Sequence, residues 1–285
     1  MAEKIMTEKT VLITGCSSGF GKLAAKTFQA NGWNVVATMR SPEKETELAQ
    51  LDRVLVTRLD VTEPASVAQA LEEGLARFGG LDVVVNNAGY GGHALFEQMT
   101  DDAARAMFET NVFGVMNVMR ATLPVLRQRQ GGTVINVTSM AGMMGLPNSS
   151  IYSSTKFAVE GLTEAMALEY APFGIAIKSV LPGAYPTTRF GANTDDQLES
   201  GSDALTSYGR KLYDHIQSIG AQMAQQGGSI ADPQEVADQI FECAVGETPI
   251  HNPVGSDSQM LVGMMGHPPR QPFLDQLSAM LIPTD

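Results

Sequence analysis

The sequence predicts a doubly wound α/β fold with a mainly parallel sheet of about seven strands, helices on both faces and a helical lid insert. Two features predict it. Short apolar, β-prone runs alternate with longer helical patterns, which is typical of a parallel sheet covered on both sides. A glycine-rich turn, residues 14–21, follows the first run and leads into the first helical pattern, as the first strand–helix connection of such folds does.

The strands are read from continuous apolar runs such as Val83-Val84-Val85, because parallel strands are buried on both faces. They are expected at Thr10–Thr14, Asn34–Thr38, Val54–Leu59, Leu81–Asn86, Gly132–Thr138 and Ala176–Leu181, with a possible seventh near Ile250–Val254. The expected helices are Phe20–Asn31, Glu43–Ala49, Glu63–Phe78, Asp101–Gln128 and Ser153–Tyr170. Thr62 and Thr100 are plausible capping hydroxyls at two helix starts. Without a linker or a repeat, residues 1–285 are expected to form one domain.

Residues 185–228 interrupt this alternation. Glycines recur there, yet apolar residues return at spacings of three and four: Leu205, Tyr208, Leu212, Ile216, Ile219 and Met223. This pattern indicates an amphipathic helix between flexible ends. We favour a mobile lid over a pocket, and a surface helix packed on the body stays the alternative.

Composition narrows the class of protein. The net charge, 19 basic against 31 acidic residues or −12, argues against nucleic acid as a partner. No segment approaches the ~20 apolar residues of a membrane span. The first residues include acidic ones and no apolar stretch typical of a secretory signal, so a cytoplasmic enzyme is expected. Cys16 and Cys243, with four scattered histidines, match neither a disulfide framework nor a metal site.

The turn Thr14-Gly-Cys-Ser-Ser-Gly-Phe-Gly21 has the chemistry of a phosphate-binding loop of the Rossmann type. Gly15 allows a tight turn, Gly19 lets the backbone approach a pyrophosphate, and Gly21 lets helix and strand pack closely. The helix that follows supplies unpaired N–H groups and a positive partial charge. A plain strand–helix connection also matches such a turn, so the rest of the chain decides.

Arg40 favours NADP over NAD. Dinucleotide folds often place an acid after the second strand to bind the ribose hydroxyls of NAD, but this chain reads Thr38-Met39-Arg40-Ser41 there. A guanidinium can instead pair with the 2′-phosphate of NADP. The alternative is a solvated charge at a helix start.

Ser139, Tyr152 and Lys156 suit proton transfer to a carbonyl or from an alcohol. Tyr152 and Lys156 are four apart on a helix, so both reach one face. An ammonium near the phenol should lower the phenol pKa, which lets Tyr152 act as acid or base, while Ser139 can hold the carbonyl oxygen. Alone, the Tyr–Lys spacing would suit an ordinary surface pair.

Together with Asn86-Asn-Ala-Gly89, Asn111 and Pro182-Gly183, these motifs closely resemble the short-chain dehydrogenase/reductase family in its single-domain form, from about Lys9 to Thr188. A weaker likeness is to NADP-linked hydroxysteroid and retinol-type reductases. The resemblance implies strand order 3-2-1-4-5-6-7 and a catalytic set of Asn111, Ser139, Tyr152 and Lys156. It also implies an adenine contact at Asp60 and a carboxamide contact at Thr187, with Thr188 as a rival. Ser18 departs from the basic residue that many NADP-binding members carry. The expected cofactor contacts are Gly15, Ser17, Ser18, Gly19, Phe20, Gly21, Arg40, Asp60, Val61, Asn87, Ala88, Gly89, Tyr152, Lys156, Pro182, Gly183 and Thr187.

Substrate contacts are expected from loops beyond the carboxyl ends of the strands. The candidates are His93, Leu95, Met140, Met143, Met144, Leu146 and Tyr185. Three methionines suggest an adaptable apolar pocket, although methionine also fills gaps in cores. The expected substrate is an apolar ketone, aldehyde or secondary alcohol. The tail after Gly263, with a short helical pattern ending at Leu281, could close the pocket or meet another subunit.

Two other functions are weighed against an NADP-dependent carbonyl reductase. A catalytically silent NADP sensor fits poorly, because the chain keeps Ser139, Tyr152, Lys156 and Asn111. A nucleotide-sugar epimerase or dehydratase would need a larger C-terminal domain. The resemblance further implies a homodimer or homotetramer in which the helices at 101–128 and 153–170 pair across a two-fold axis. Apolar residues available to that seam are Met116, Met119, Leu123, Phe157 and Leu168.

Overall fold

A seven-stranded parallel sheet forms the centre of the protein. The computed structural model describes residues 8–185, 200–226 and 232–264. Its strands are β1 (Thr10–Ile13), β2 (Asn34–Met39), β3 (Val54–Arg58), β4 (Val83–Asn86), β5 (Gly132–Val137), β6 (Ile175–Pro182) and β7 (His251–Val254). They lie in the order β3-β2-β1-β4-β5-β6-β7, which confirms the predicted topology. The order reverses between β1 and β4, where doubly wound folds bind their ligands.

Helices cover both faces of this sheet. They are α1 (Gly19–Ala30), α2 (Pro64–Phe78), α3 (Asp101–Phe108), α4 (Gly114–Gln128), α5 (Ser150–Tyr170), α6 (Asp203–Gln226), α7 (Gln234–Val245) and α8 (Ser256–Met264). Helices α1 and α7 pack on one face, and α2, α4 and α5 pack on the other. Within the described ranges, no helix is both long and apolar enough to span a membrane.

Alternate residues of each strand enter opposite cores, because successive side chains point to opposite faces of a sheet. In β1, Val11 and Ile13 join the core beneath α1 and α7, while Leu12 joins the core beneath α2 and α4. All four residues of β1 are buried. The central strands are therefore apolar throughout, which explains why they could be recognised as continuous runs.

The predicted helix Glu43–Ala49 is wrong. This stretch forms two single 3₁₀ turns, Pro42–Lys44 and Leu48–Gln50. The Glu45 carboxylate accepts hydrogen bonds from the backbone N–H groups of Glu47 and Leu48 at 2.8 and 2.9 Å. Side-chain bonds of this kind compete with the helical ladder and end it locally.

The capping prediction is confirmed at Thr100 and wrong at Thr62. The Thr100 hydroxyl accepts a hydrogen bond from the Ala103 N–H at 3.2 Å. The Thr62 hydroxyl instead donates to Asp60 Oδ1 at 2.8 Å, and α2 begins at Pro64 without a side-chain cap.

The predicted helix Asp101–Gln128 has the expected ends but is not one regular helix. A π-helical segment, Glu109–Phe113, separates α3 from α4. Such segments widen the helix by one residue per turn and frequently occur at functional sites. Here the segment contains Asn111, which is 1% exposed.

The amphipathic pattern in the expected lid corresponds to α6, which confirms a helix there. Its flanks at 186–199 and 227–231 lie outside the described residues, and so does Thr187. The short helical pattern predicted to end at Leu281 also lies outside them, and of the predicted tail only Gly263 and Met264, the last residues of α8, are described. Helices α7 and α8 were not anticipated from the sequence.

Candidate active site

The carboxyl ends of β4 and β5 and the first turns of α5 bring the predicted catalytic residues together. Ser139 follows β5 and caps a 3₁₀ turn by accepting a hydrogen bond from the Ala141 N–H at 3.1 Å. Tyr152 lies on α5, 8% exposed, and shares a hydrogen bond with Ser139. The expected pairing of these two side chains is therefore present.

Lys156 lies one turn after Tyr152 and is 6% exposed. Its Nζ lies 5.7 Å from the centre of the Tyr152 ring and donates a hydrogen bond to the Val137 carbonyl at 3.1 Å. The side chain therefore crosses from α5 to the end of β5. The ammonium is held beside the phenol ring by the backbone of the strand that precedes Ser139.

Burial dominates the electrostatics of this pair. It raises the pKa of the Tyr152 phenol above its usual value, and the hydrogen bond with Ser139 acts in the opposite direction. Burial also lowers the pKa of Lys156 from 10.5 to about 8, while the Glu160 carboxylate acts against it. Removing water from the phenolate costs more than the Ser139 hydrogen bond returns. The expected net lowering of the phenol pKa is therefore wrong for the protein's own residues.

Asn111 joins three parts of the site. Its Oδ1 accepts from the Tyr90 N–H at 3.0 Å, and its Nδ2 donates to the Tyr90 carbonyl at 2.8 Å and to Thr155 Oγ1 at 3.1 Å. A Cβ added at Gly89 would lie 3.0 Å from Asn111 Oδ1 and 3.8 Å from Lys156 Nζ. The π segment thus fixes the loop after β4 against α5, beside Lys156.

The glycine turn has the shape of a phosphate cradle. Gly15 has φ +75°, and a Cβ there would lie 2.9 Å from Ala88 Cα. A Cβ at Gly21 would lie 2.4 Å from Asn87 Nδ2 and 2.5 Å from the Gly15 carbonyl oxygen, so helix and turn meet as predicted. Gly19 has φ +56°, and apart from its chain neighbours and the backbone of its own helix, no atom of the described residues lies within 4 Å of an added Cβ. These residues fit a dinucleotide pyrophosphate.

Two further features complete that fit. Ser18 occupies the N-cap of α1 without a side-chain cap, and the first turn carries no acid, so the helix N-terminus presents its N–H groups to an anion. Asn87 Nδ2 donates to the carbonyls of Thr14 and Gly15 at 2.9 and 3.2 Å, and Thr14 Oγ1 accepts from the Asn87 and Ala88 N–H groups. The strand end and the turn are therefore tied together.

Arg40 follows β2 as an exposed side chain close to Asp60 and Tyr90. Burial raises the pKa of the Asp60 carboxyl, but two hydrogen bonds from Thr62 and the charges of Arg40 and Arg58 outweigh it and hold the pKa below its usual value. Asp60 is therefore an anion at neutral pH, at the end of β3. The region after β2 carries a guanidinium, as the sequence indicated.

The comparisons with known proteins agree with this geometry. A family model described as short chain dehydrogenase matches residues 9–198. The chain belongs to the short-chain dehydrogenase family. An uncharacterized oxidoreductase YusZ of Bacillus subtilis is 37% identical over 250 residues, which are 84% of this chain and 85% of that protein.

Two similar solved structures carry different nicotinamide cofactors. ElxO with NADP bound is 29% identical, with a TM-score of 0.72 over 89% of this chain and 99% of that one. A 3-ketoacyl-(acyl-carrier-protein) reductase from Brucella melitensis complexed with NADH is 27% identical, with a TM-score of 0.72 over 88% of this chain and 98% of that one.

The predicted substrate contacts lie in different surroundings. His93 Nδ1 lies 3.1 Å from the Ser149 hydroxyl, and its ring lies 5.1 Å from that of Tyr213 on α6. The half-buried Met140 and Met144 and the buried Met143 follow Ser139 directly. Tyr185 is buried in the core beneath α1, edge to face on Phe20 at 5.3 Å. Their roles as substrate contacts stay predictions.

The remaining predicted cofactor contacts lie after strands or in the glycine turn. Val61 is buried after β3, and its carbonyl accepts from Asn117 Nδ2 at 3.0 Å. The Gly183 N–H donates to the Val254 carbonyl at 3.0 Å, directly after Pro182. A Cβ at Gly183 would lie 1.9 Å from Asp257 Oδ1, so only glycine fits this turn without a shift. Ser17 lies exposed in the glycine turn.

Sequence reasoning missed a charged cluster next to the candidate active site, in which Glu160 is buried and its two partners are half-buried. It consists of Glu160 and Glu164 on α5 and His251 on β7. One local signal existed, since Glu160 follows Lys156 by one helical turn. His251 carried none, because its contact depends on the position of β7 beside β6.

Proposed function

We propose that this protein is an NADP-dependent oxidoreductase that transfers a hydride between the nicotinamide and an apolar ketone or aldehyde, or the corresponding alcohol. The observation that carries the proposal is the hydrogen bond between the half-buried Ser139 and the buried Tyr152, with the buried Lys156 one turn away. These side chains lie at the carboxyl ends of the strands, where doubly wound folds bind their ligands.

Each side chain has a role in the reduction. Tyr152 donates its phenolic proton to the carbonyl oxygen as the carbon receives a hydride, and Ser139 holds that oxygen by a hydrogen bond. The raised pKa of Tyr152 keeps the phenol protonated at neutral pH until the more basic alkoxide develops. Lys156 stabilises the tyrosinate that remains, and Asn111 fixes the loop that meets the cofactor. The bound dinucleotide supplies the hydride.

Arg40 supports NADP as the preferred cofactor. Its guanidinium follows β2, where an acid would favour the free ribose hydroxyls of NAD. A charge-assisted bond to the 2′-phosphate would select NADP. Similar structures hold NADP in one case and NADH in another, so the preference is a proposal for this chain.

The test is to screen a panel of apolar ketones, aldehydes and alcohols with each cofactor, using the absorbance of the nicotinamide to detect turnover. Any accepted substrate is then used in single-turnover assays with Tyr152→Phe, which keeps the ring but lacks the transferable proton. Its rate should fall about 10²–10⁴-fold while cofactor affinity is kept. Tyr170→Phe, on the same helix, is the matched control. A Tyr152→Phe rate equal to the unmodified rate refutes the mechanism, and cofactor binding without turnover of any compound favours the sensor.

The same proposal includes a homodimer or homotetramer formed through α4 and α5. A groove of about 380 Å³ lies between these helices, lined by Met116, Leu123, Leu162 and Met166 among others. Phe113 and Phe157 are 45% and 44% exposed on the π segment and on α5. Burying such apolar surface would stabilise a two-fold contact. A strictly monomeric mass at micromolar concentration contradicts it.

A further inference from the structure

Glu160 is a buried carboxylate that three strands hold in place. It lies on α5, one turn after Lys156, and is 2% exposed. The Thr138 hydroxyl of the β5 end donates to Glu160 Oε1, and the Ser179 hydroxyl of β6 donates to Oε2 at 3.0 Å. His251 Nδ1 of β7 lies 2.8 Å from the same Oε2. One side chain therefore bonds to β5, β6 and β7.

His251 balances the charge of this cluster. Its Nε2 lies 2.9 Å from Glu164 Oε1, so the imidazole bridges two carboxylates of α5. Burial lowers the pKa of His251, but the hydrogen bonds and charges of Glu160 and Glu164 outweigh burial and raise the pKa from 6.5 to about 9. The ring is therefore a cation at neutral pH.

The cluster is directly connected to the candidate active site. Thr138, which donates to Glu160, precedes Ser139 in the chain. Val137, whose carbonyl accepts from Lys156 Nζ at 3.1 Å, precedes Thr138. Tyr152, Lys156, Glu160 and Glu164 recur every four residues and so share one face of α5. The carboxylate of Glu160 thus acts on Lys156 by its charge and on Ser139 through the strand.

We propose that Glu160 is a positioning residue of this site, which keeps the Lys156 side chain in its cationic form and fixes the end of β5 that carries Ser139. The proposal rests on the function proposed above for Tyr152 and Lys156. Because Glu160 is 2% exposed, this role is exerted through Lys156 and the end of β5.

The charges around Glu160 determine the direction of each effect. The charged groups of the described residues that face it are Lys156 and Glu164 from α5 and His251 from β7. The ends of β5 and β6 present the Thr138 and Ser179 hydroxyls, and the turn after Ser139 presents Gly142, whose added Cβ would lie 2.9 Å from Glu160 Cγ. Removing the negative charge of Glu160 favours the neutral form of Lys156. Removing the positive charge of His251 favours the cationic form of Lys156.

The decisive experiment measures the Lys156 titration without turnover. Lysine labelled with ¹³C at Cε is followed by NMR from pH 6 to 11, and the Lys156 signal is assigned by its loss in Lys156→Met. Glu160→Gln keeps the shape and the acceptor oxygen but removes the charge. Its Lys156 midpoint should fall by about one pH unit or more. Glu169→Gln, the same change on an exposed turn of α5 about 13 Å further along the axis, should leave the midpoint in place.

A second variant separates the charge effect from structural damage. His251→Asn can still donate to Glu160 but lacks the cation, so the Lys156 midpoint should rise. It also carries the test if Glu160→Gln does not fold. Opposite shifts in the two variants support the proposal. An unchanged midpoint in Glu160→Gln, or a fall in both variants, overturns it. Absence of carbonyl turnover with both shifts present would instead refute the proposed function alone.

Discussion

His251 should make the stability of this protein depend on pH in the alkaline range. Its pKa is raised from 6.5 to about 9 by Glu160 and Glu164, whose effect exceeds that of burial. A group whose pKa is higher in the folded state stabilises that state below the unfolded pKa and loses this effect as pH rises through the folded value. At ~1.4 kcal/mol per pH unit, the protonated ring contributes on the order of 3 kcal/mol at pH 6 and almost none near pH 10.

Urea unfolding of the unmodified protein and His251→Asn, measured at pH 6 and at pH 10, tests this reasoning. The substitution removes packing at both pH values. The informative quantity is therefore how the difference in the free energy of unfolding between the two proteins changes from pH 6 to pH 10. That difference should be larger at pH 6 by roughly 2–3 kcal/mol. His215→Asn, the same change at an exposed position of α6, is the control and should show no such change. An equal difference at both pH values, or a larger one at pH 10, refutes the assignment of His251 as a cation in the folded protein.

Three further predictions concern the candidate site. Arg40→Ala should weaken NADP binding relative to NAD by about 1–3 kcal/mol, measured by fluorescence titration, and an equal loss for both cofactors contradicts the 2′-phosphate contact. Gly21→Ala should abolish cofactor binding because its Cβ would overlap the Gly15 carbonyl, whereas Gly145→Ala, with no described atom within 4 Å, should bind normally. Asn111→Ala should lower the free energy of unfolding by about 1–3 kcal/mol, since it leaves buried polar groups without their partner; an unchanged denaturation midpoint contradicts this.

The parts of the site that depend on local spacing could be predicted from the sequence. Gly15 and Gly21 have the conformation and the close contacts that the phosphate-loop pattern demands. Tyr152 and Lys156 meet because four residues make one helical turn. Ser139 required the family resemblance, since it lies thirteen positions before Tyr152 and no local pattern places it beside that residue.

Two kinds of feature could not be predicted: those in which side-chain hydrogen bonds compete with helix formation, and those that depend on contacts between residues far apart in the chain. The helix expected at Glu43–Ala49 does not form because the Glu45 side chain bonds to nearby backbone N–H groups. Helix propensities do not account for such specific hydrogen bonds. The π segment around Asn111 inserts a residue without changing the apolar pattern on either side. The pair of Glu160 and His251 joins residues 91 positions apart, and only the order of β5, β6 and β7 brings them together.

The position of Glu160 lets the buried ammonium of Lys156 be stabilised while its N–H donors stay available for other contacts. A buried ammonium is unstable unless an opposite charge lies near it. A carboxylate placed directly on Nζ would stabilise the cation, but it would also occupy the N–H donors that a ribose or a proton-transferring group needs. Among the described residues, Nζ donates to Val137 O, which uses one of its three donors. Because the compensating carboxylate lies one turn deeper and is itself held by β5, β6 and β7, the charge is balanced while the tip of Lys156 still faces the site.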